Sequence, residues 1–200
     1  MASIGLSKPY YALYSASGST VTYSGGGLLG KATELSLELE GADTNVLYAD
    51  NAPAESDNQF AGGTLNITTD DLLPEPMKAI LGITEKVLDE AASGSSDKWL
   101  VFDDTQAIPY VGFGGIIKAK QGGTVKWIAL VLTKVQFSNP GVTATTQGET
   151  IEWQTKSLSA TVMRDDSTNH VWQMQSTPLA TEAAAEAAIK KALGITDVAA

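Results

Sequence analysis

Gly25-Gly26-Gly27-Leu28-Leu29-Gly30-Lys31 spells the first seven positions of a phosphate-binding loop, in which backbone N–H groups cradle phosphates and a lysine reaches the terminal one. The eighth position must supply the hydroxyl that binds magnesium, and here it is Ala32. Such a loop also opens a helix, whereas residues 31–40 alternate as a strand. A Gly-rich turn before a strand is the reading these residues support. Gly112-Phe113-Gly114-Gly115 starts like a dinucleotide fingerprint, but Ile117 stands where the third glycine belongs and no helical pattern follows. These glycines are expected instead to let a bulky neighbour or another backbone approach a strand closely.

Adjacent acids occur at Asp70-Asp71, Asp103-Asp104 and Asp165-Asp166. As a cation site or a glycosidase pair they would have to converge in space; turn closure or helix capping explains each pair more simply. His170, the single histidine, follows the last pair and reads as a solvated turn residue. One imidazole and no cysteine exclude HExxH zinc chemistry, Cys-built metal sites, thiol nucleophiles and disulfide scaffolds. No GxSxG elbow presents a serine. Nothing here asks for a catalytic, metal or cofactor site, and the expectation is a protein that is not an enzyme.

Charge narrows the partners. The net charge is −10, and it is uneven: residues 1–104 hold 16 acids and 5 bases, residues 105–200 hold 7 and 8. Such a chain repels a phosphate backbone, which argues against sequence-independent nucleic-acid binding. A protein that must sit beside DNA without holding it would carry the same sign. The longest purely apolar run, residues 127–132, is far short of the ~20 needed to span a bilayer. The N-terminus has no basic stretch followed by an apolar one, so a soluble, cytoplasmically made product is expected.

The elements that must position these residues are mostly strands, because the prevailing period is two. In residues 31–40, Leu35, Leu37 and Leu39 form a dry side, and Glu34, Ser36, Glu38 and Glu40 a wet, acidic one. Residues 41–60 then read as a loop of unusual length, with Val46-Leu47-Tyr48 its one apolar patch. Residues 63–69 return as a strand. Asp70 or Asp71 should cap a helix over 73–81, with Pro74 and Pro76 in its first turn, Gly82 after its end and Ile83 beyond. Residues 93–96 read as a loop. Residues 107–120 and 124–137 flank Gln121-Gly122-Gly123, a hairpin signal. In the second strand Val125, Trp127, Ala129, Val131, Val135 and Phe137 share one face; Ile128, Leu130 and Leu132 share the other, which a helix of the same chain is expected to cover, the alternative being a neighbouring copy. Ile151 and Trp153 are out of phase with Leu158, Ala160 and Val162, so a bulge is expected near residues 155–157. A turn at 165–169 leads to a strand over 170–175, and Thr181 should cap a last helix over 182–193, closed by Gly194 and Ile195.

Residues 77–85 and 189–197 are identical at five of nine positions. A duplicated unit would produce that echo, and so would two helices ending in the same Gly-plus-apolar cap. Of the four tryptophans, Trp127 and Trp153 lie on apolar faces and read as core, while Trp99 and Trp172 sit at strand edges and suit a partner surface.

The order of features resembles the major tail proteins of long-tailed bacteriophages, the tail-tube subunits. The likeness lies in residues 31–40 with Tyr48-Ala49-Asp50-Asn51, in Phe113-Gly114-Gly115, in residues 133–137 running into Ser138-Asn139-Pro140, and in residues 148–163 with Gln154-Thr155-Lys156-Ser157-Leu158. It covers most of residues 30–175. The resemblance implies one mainly β domain over residues 1–200, a β-sandwich or barrel-like tail-tube fold with one or two short flanking helices. Residues 1–30 would be an N-terminal arm with the first strands, 41–60 a long inter-ring loop, and 178–200 a C-terminal helix and tail. It further implies hexameric rings stacked head to tail into the virion tail tube, assembled in the host cytoplasm. Tail terminator, tape measure and distal tail proteins would be its partners, with no membrane and no cofactor, and DNA would pass without specific binding. On that basis Glu34, Ser36, Glu38 and Glu40 would face the lumen. Val46, Leu47, Tyr48, Asp50, Asn51 and Asp57 would belong to the inter-ring loop, and Trp99 and Trp172 to subunit interfaces. The competing class is a carbohydrate- or receptor-binding sandwich with Trp99 and Trp172 as its platform; a hydrolase built on paired aspartates is the third.

Overall fold

Alternating residues make strands here, and the strands make one large antiparallel sheet. The computed structural model describes residues 2–41, 45–49, 52–57, 60–87, 98–142, 144, 146 and 155–196. Three strands open the chain, β1 (Ala2–Ser17), β2 (Thr20–Leu28) and β3 (Ala32–Gly41). A ribbon of β4 (Asn45–Ala49) and β5 (Ala52–Asp57) follows, then β6 (Phe60–Thr69) and helix α1 (Pro74–Leu81). A small hairpin of β7 (Thr84–Val87) and β8 (Lys98–Val101) precedes the long strands β9 (Val111–Gln121) and β10 (Thr124–Phe137). β11 (Lys156–Met163), β12 (Gln173–Gln175) and helix α2 (Glu182–Ala192) complete the order. The main sheet runs β2-β1-β9-β10-β11-β6-β3, with β12 added against β10. The fold is mainly β with two short helices, as the period-two pattern implies.

The sheet curls. β3 comes to lie over β1 and β9, so that Leu35 and Leu6 both approach Gly115, yet among the described residues β3 pairs as a strand only with β6. The concave side holds the larger core, where Leu65, Ile67, Phe113, Leu132, Phe137 and Leu158 are buried together. Ile80 and Leu81 of α1 enter this cluster. On the convex side Ala185 and Ile189 of α2 and its C-cap residue Leu193 pack with Ile116, Ala129 and Val131. β10 is therefore covered on both faces, as expected.

Which residues take which face differs from simple alternation. A bulge between Leu132 and Val135 breaks the β10 register against β9, inserting one residue and reversing the phase. Val135 and Phe137 consequently join Leu132 in the concave core rather than Val131 on the α2 side. Leu132 shares its cluster with α1, while α2 covers the opposite face. The Gly122-Gly123 turn forms as expected, with φ of +55° and +84°, the double positive φ that a two-residue type I′ hairpin requires.

Both helices end as the sequence implies, but only one begins so. Thr181 Oγ1 accepts from Ala184 N at 3.2 Å, capping α2; Ile195 N donates to Lys190 O at 2.8 Å around left-handed Gly194, a Schellman closure. α1 ends at left-handed Gly82 with Ile83 buried after it. Its N-cap is Leu73, without a side-chain hydrogen bond. Asp70 and Asp71 do not cap it: Asp70 Oδ1 accepts from Lys31 N and Asp71 N, and Asp71 Oδ1 from Leu72 N. The strand expected at 170–175 is confined to Gln173–Gln175. Residues 93–96, Ile151 and Trp153 lie outside the described residues, while β11 shows the expected alternation of buried Leu158, Ala160 and Val162.

Candidate assembly surfaces

Edge strand β3 carries the acidic row. Leu35 and Leu37 pack against the concave core, which turns Glu34, Glu38 and Glu40 outward and leaves them exposed, with Ser36 half-buried. Leu39, expected on the dry side, is 49% exposed because the strand runs past the core toward the β4–β5 ribbon. Register extends the wet face across two more strands. Glu34, Ser36 and Glu38 lie opposite Thr68, Asn66 and Thr64 of β6, and these lie opposite Ser157, Ser159 and Thr161 of β11. Thr68 Oγ1 and Ser157 Oγ are hydrogen-bonded at 3.0 Å. A broad face of hydroxyls and amides results, with acids along one border. The β6 and β11 residues were not singled out from the sequence, although Ser and Thr at every second position were the available signal.

Residues 41–60 are not a structureless loop. Val46, Leu47 and Tyr48 lie on β4 and Asp57 on β5, and the two strands pair antiparallel from Asn45↔Asp57 to Ala49↔Ala52. Asp50 and Asn51 lie outside the described residues. The ribbon is a separate two-stranded sheet that joins no other strand among the described residues.

The aromatic positions divide. Trp99 on β8 is 55% exposed and lies opposite Lys86 of β7; Val87 and Phe102 are exposed as well. Trp172 stacks on Phe60 with centroids 4.4 Å apart and planes 3° from parallel, and the Arg164 guanidinium donates to Phe60 O. One face of Trp172 is thus occupied within the chain. Trp127 is half-buried against the α2 cluster, and its backbone exchanges hydrogen bonds with Leu179.

The acid pairs do turn work. Asp103 accepts from Thr105 N and Oγ1 and meets Lys86 Nζ at 3.4 Å. Asp165 is buried and accepts from Ser167 N and Oγ. Asp166 accepts from Tyr14 OH and Lys134 Nζ, each at 2.7 Å, and the lysine first, then the tyrosine, hold its carboxyl below the usual carboxylate range. His170 is exposed, with Nδ1 3.1 Å from Asp165 O. Among the described residues no three His, Asp or Glu side chains gather as metal ligands, and no helix is long and apolar enough to cross a membrane.

The glycine motifs are structural. Gly25, Gly26 and Gly27 lie on β2, and β3 rather than a helix follows them. On β9 a Cβ at Gly112 would lie 2.6 Å from Leu193 Cδ2 and from Tyr23 Cε1, and one at Gly114 2.5 Å from Ile189 Cγ2. These glycines form the bed on which α2 rests, the close approach that the sequence implies. A bulge between Ser7 and Tyr10 in β1 places Lys8 at φ +51°. There its Nζ bonds to Glu186 of α2, whose other oxygen accepts from Tyr10 OH at 2.7 Å and Lys190 Nζ at 2.9 Å. Ser7 Oγ donates to Glu182 at 2.7 Å. These residues pin the C-terminal helix to the N-terminal strand, a role that sequence spacing could not reveal across some 175 positions. Among the described residues the chain offers strand edges, a separate ribbon and a polar face; no family model matches it, and no curated protein matches it.

Proposed function

We infer that this chain is a structural subunit that assembles with copies of itself into a tube, the tail tube of a long-tailed bacteriophage, built of stacked hexameric rings and serving as the conduit for DNA. The observation that carries it is the curled sheet, whose terminal strands β2 and β3 each pair on one side only among the described residues. Open edges are templates for strand addition, which monomeric proteins blunt or cover. A ribbon that joins no other strand among the described residues supports the same conclusion, because a lone two-stranded hairpin is marginal in water. Repeated head-to-tail contact that does not close on itself gives a filament.

The polar face of β3, β6 and β11 suits a lumen wall. Its charged residues on β3 are Glu34, Glu38 and Glu40, which repel phosphate, and its hydroxyls offer DNA no cationic anchor. The subunit then acts by geometry and charge, without a catalytic step or cofactor. Tail terminator, tape measure and distal tail proteins would be its partners at the tube ends. Sedimentation velocity over rising concentration tests self-association: species growing well beyond the 20.9 kDa monomer are expected, and an unchanging monomer contradicts it.

A further inference from the structure

We propose that the cleft between the start of β6 and the turn after β11 binds an acidic sugar, a pyranose ring carrying a carboxylate. Arg164 takes the carboxylate, and Asn169 and His170 take hydroxyls. The site lies within one copy of the chain and is independent of the assembly inferred above. Phe60, Arg164, Asn169, His170 and Trp172 line a cavity of about 320 Å³, at the small end of ligand pockets and of the size of one monosaccharide. Among them are the only arginine and the only histidine of the chain. The rings of Phe60 and Trp172, stacked and half-buried, supply an apolar wall, and a pyranose has an apolar C–H side for such a wall to desolvate.

Arg164 is the anchor. It is exposed, and among the described residues every ion pair is made by a lysine, none by Arg164. Its guanidinium donates to Phe60 O and lies 6.0 Å from the Phe60 ring centroid. The chain thus positions the fork while leaving donors for a carboxylate. The two acids that follow it are engaged elsewhere: Asp165 is buried and bonded to Ser167, and Asp166 holds Tyr14 and Lys134. His170 sits at φ +48°, a conformation uncommon outside glycine, and its N–H donates to Ser167 O at 3.0 Å. Its Nδ1 is 3.1 Å from Asp165 O. A carbonyl only accepts, so Nδ1 carries the proton and Nε2 is left for a ligand. Asn169, beside it, brings an amide donor and acceptor. A neutral sugar would leave Arg164 without a partner, and an aromatic acid would leave Asn169 and His170 without one; a sugar acid serves all three.

Calorimetric titration of the full-length chain with D-glucuronate and D-galacturonate tests the site. Saturable binding of one or both is expected, with a Kd of about 1 mM or tighter. D-glucose, which lacks the carboxylate, and benzoate, which lacks the hydroxyls, should each bind about tenfold or more weakly. Arg164→Gln should weaken the sugar acid about tenfold or more, and Asn169→Ala about threefold or more, with far-UV circular dichroism unchanged in both. Glucose bound as tightly as the sugar acids removes the role of Arg164 and overturns the proposal. Benzoate bound as tightly makes an aromatic acid the ligand and overturns it too. So does the absence of saturable binding by either sugar acid. Binding that Arg164→Gln leaves unmoved, or that Asn169→Ala leaves unmoved where the arginine variant does not fold, places the ligand elsewhere and overturns this site.

Discussion

Glu186 shows what a single carboxylate does for this fold. Hydrogen bonds from Lys8, Lys190 and Tyr10, in that order of weight, pull its pKa from the ordinary 4.5 down to about 2. Burial and the bond to Glu186 push the Tyr10 hydroxyl up to about 12, so that it stays a donor throughout the neutral range. Unfolded, Glu186 would titrate near 4.5; folded, it titrates near 2. The stability it contributes is therefore complete above about pH 4.5 and is lost as pH falls toward about 2. Glu186→Gln should cost about 1–2 kcal/mol at neutral pH and flatten the acid limb of stability, measured by urea denaturation across that window. An acid limb identical in the variant would show that other carboxylates set it. Little of this was legible in the sequence, since the partners are far apart in the chain and a bulge aims Lys8. The aromatic pair was half legible: exposed Trp99 fits its edge position, but Trp172 stacks on Phe60, a contact between distant turns that no local pattern encodes.

The elements that follow local chemistry are the legible ones. The I′ turn, the Thr181 cap, the Gly82 and Gly194 helix ends and the dry faces of β3, β6 and β11 all come from residues close in sequence. The echo between residues 77–85 and 189–197 falls at two helix ends, each with a left-handed glycine, Gly82 and Gly194, and with the helices packed into different core clusters. The β10 bulge was not legible, because Thr133 and Lys134 continue the alternation and only pairing with β9 reveals the extra residue. β5 was missed for a related reason: Ala52-Pro53-Ala54-Glu55-Ser56-Asp57 contains no strong strand former, and the strand exists through its partner β4. The α2 bed gives a direct prediction. Gly114→Ala would drive its Cβ into Ile189 and should cost about 1–3 kcal/mol by thermal or denaturant melting. Ile189→Ala alone should cost about 2–5 kcal/mol. The double variant should lose clearly less than the two together; strict additivity would mean that the helix does not rest on that glycine.

At the scale of the whole molecule, charge and edges act together. The sequence shows that the acidic excess lies in residues 1–104, but only the register places Glu34 and Glu38 on one face with the hydroxyls of β6 and β11. If that face lines a conduit, Glu34→Lys/Glu38→Lys tubes should still assemble but release DNA more slowly at low salt, with the deficit shrinking as salt rises. Unchanged release and salt dependence would place the face elsewhere. Among the described residues two sheet edges and the ribbon pair with no further strand, and the proposal that copies of the same chain assemble on them is the central claim. Electron microscopy of the purified chain across concentration and ionic strength tests it most directly. The account predicts hollow tubes of uniform diameter whose end views have sixfold symmetry, and a field of monomers under every condition would contradict it.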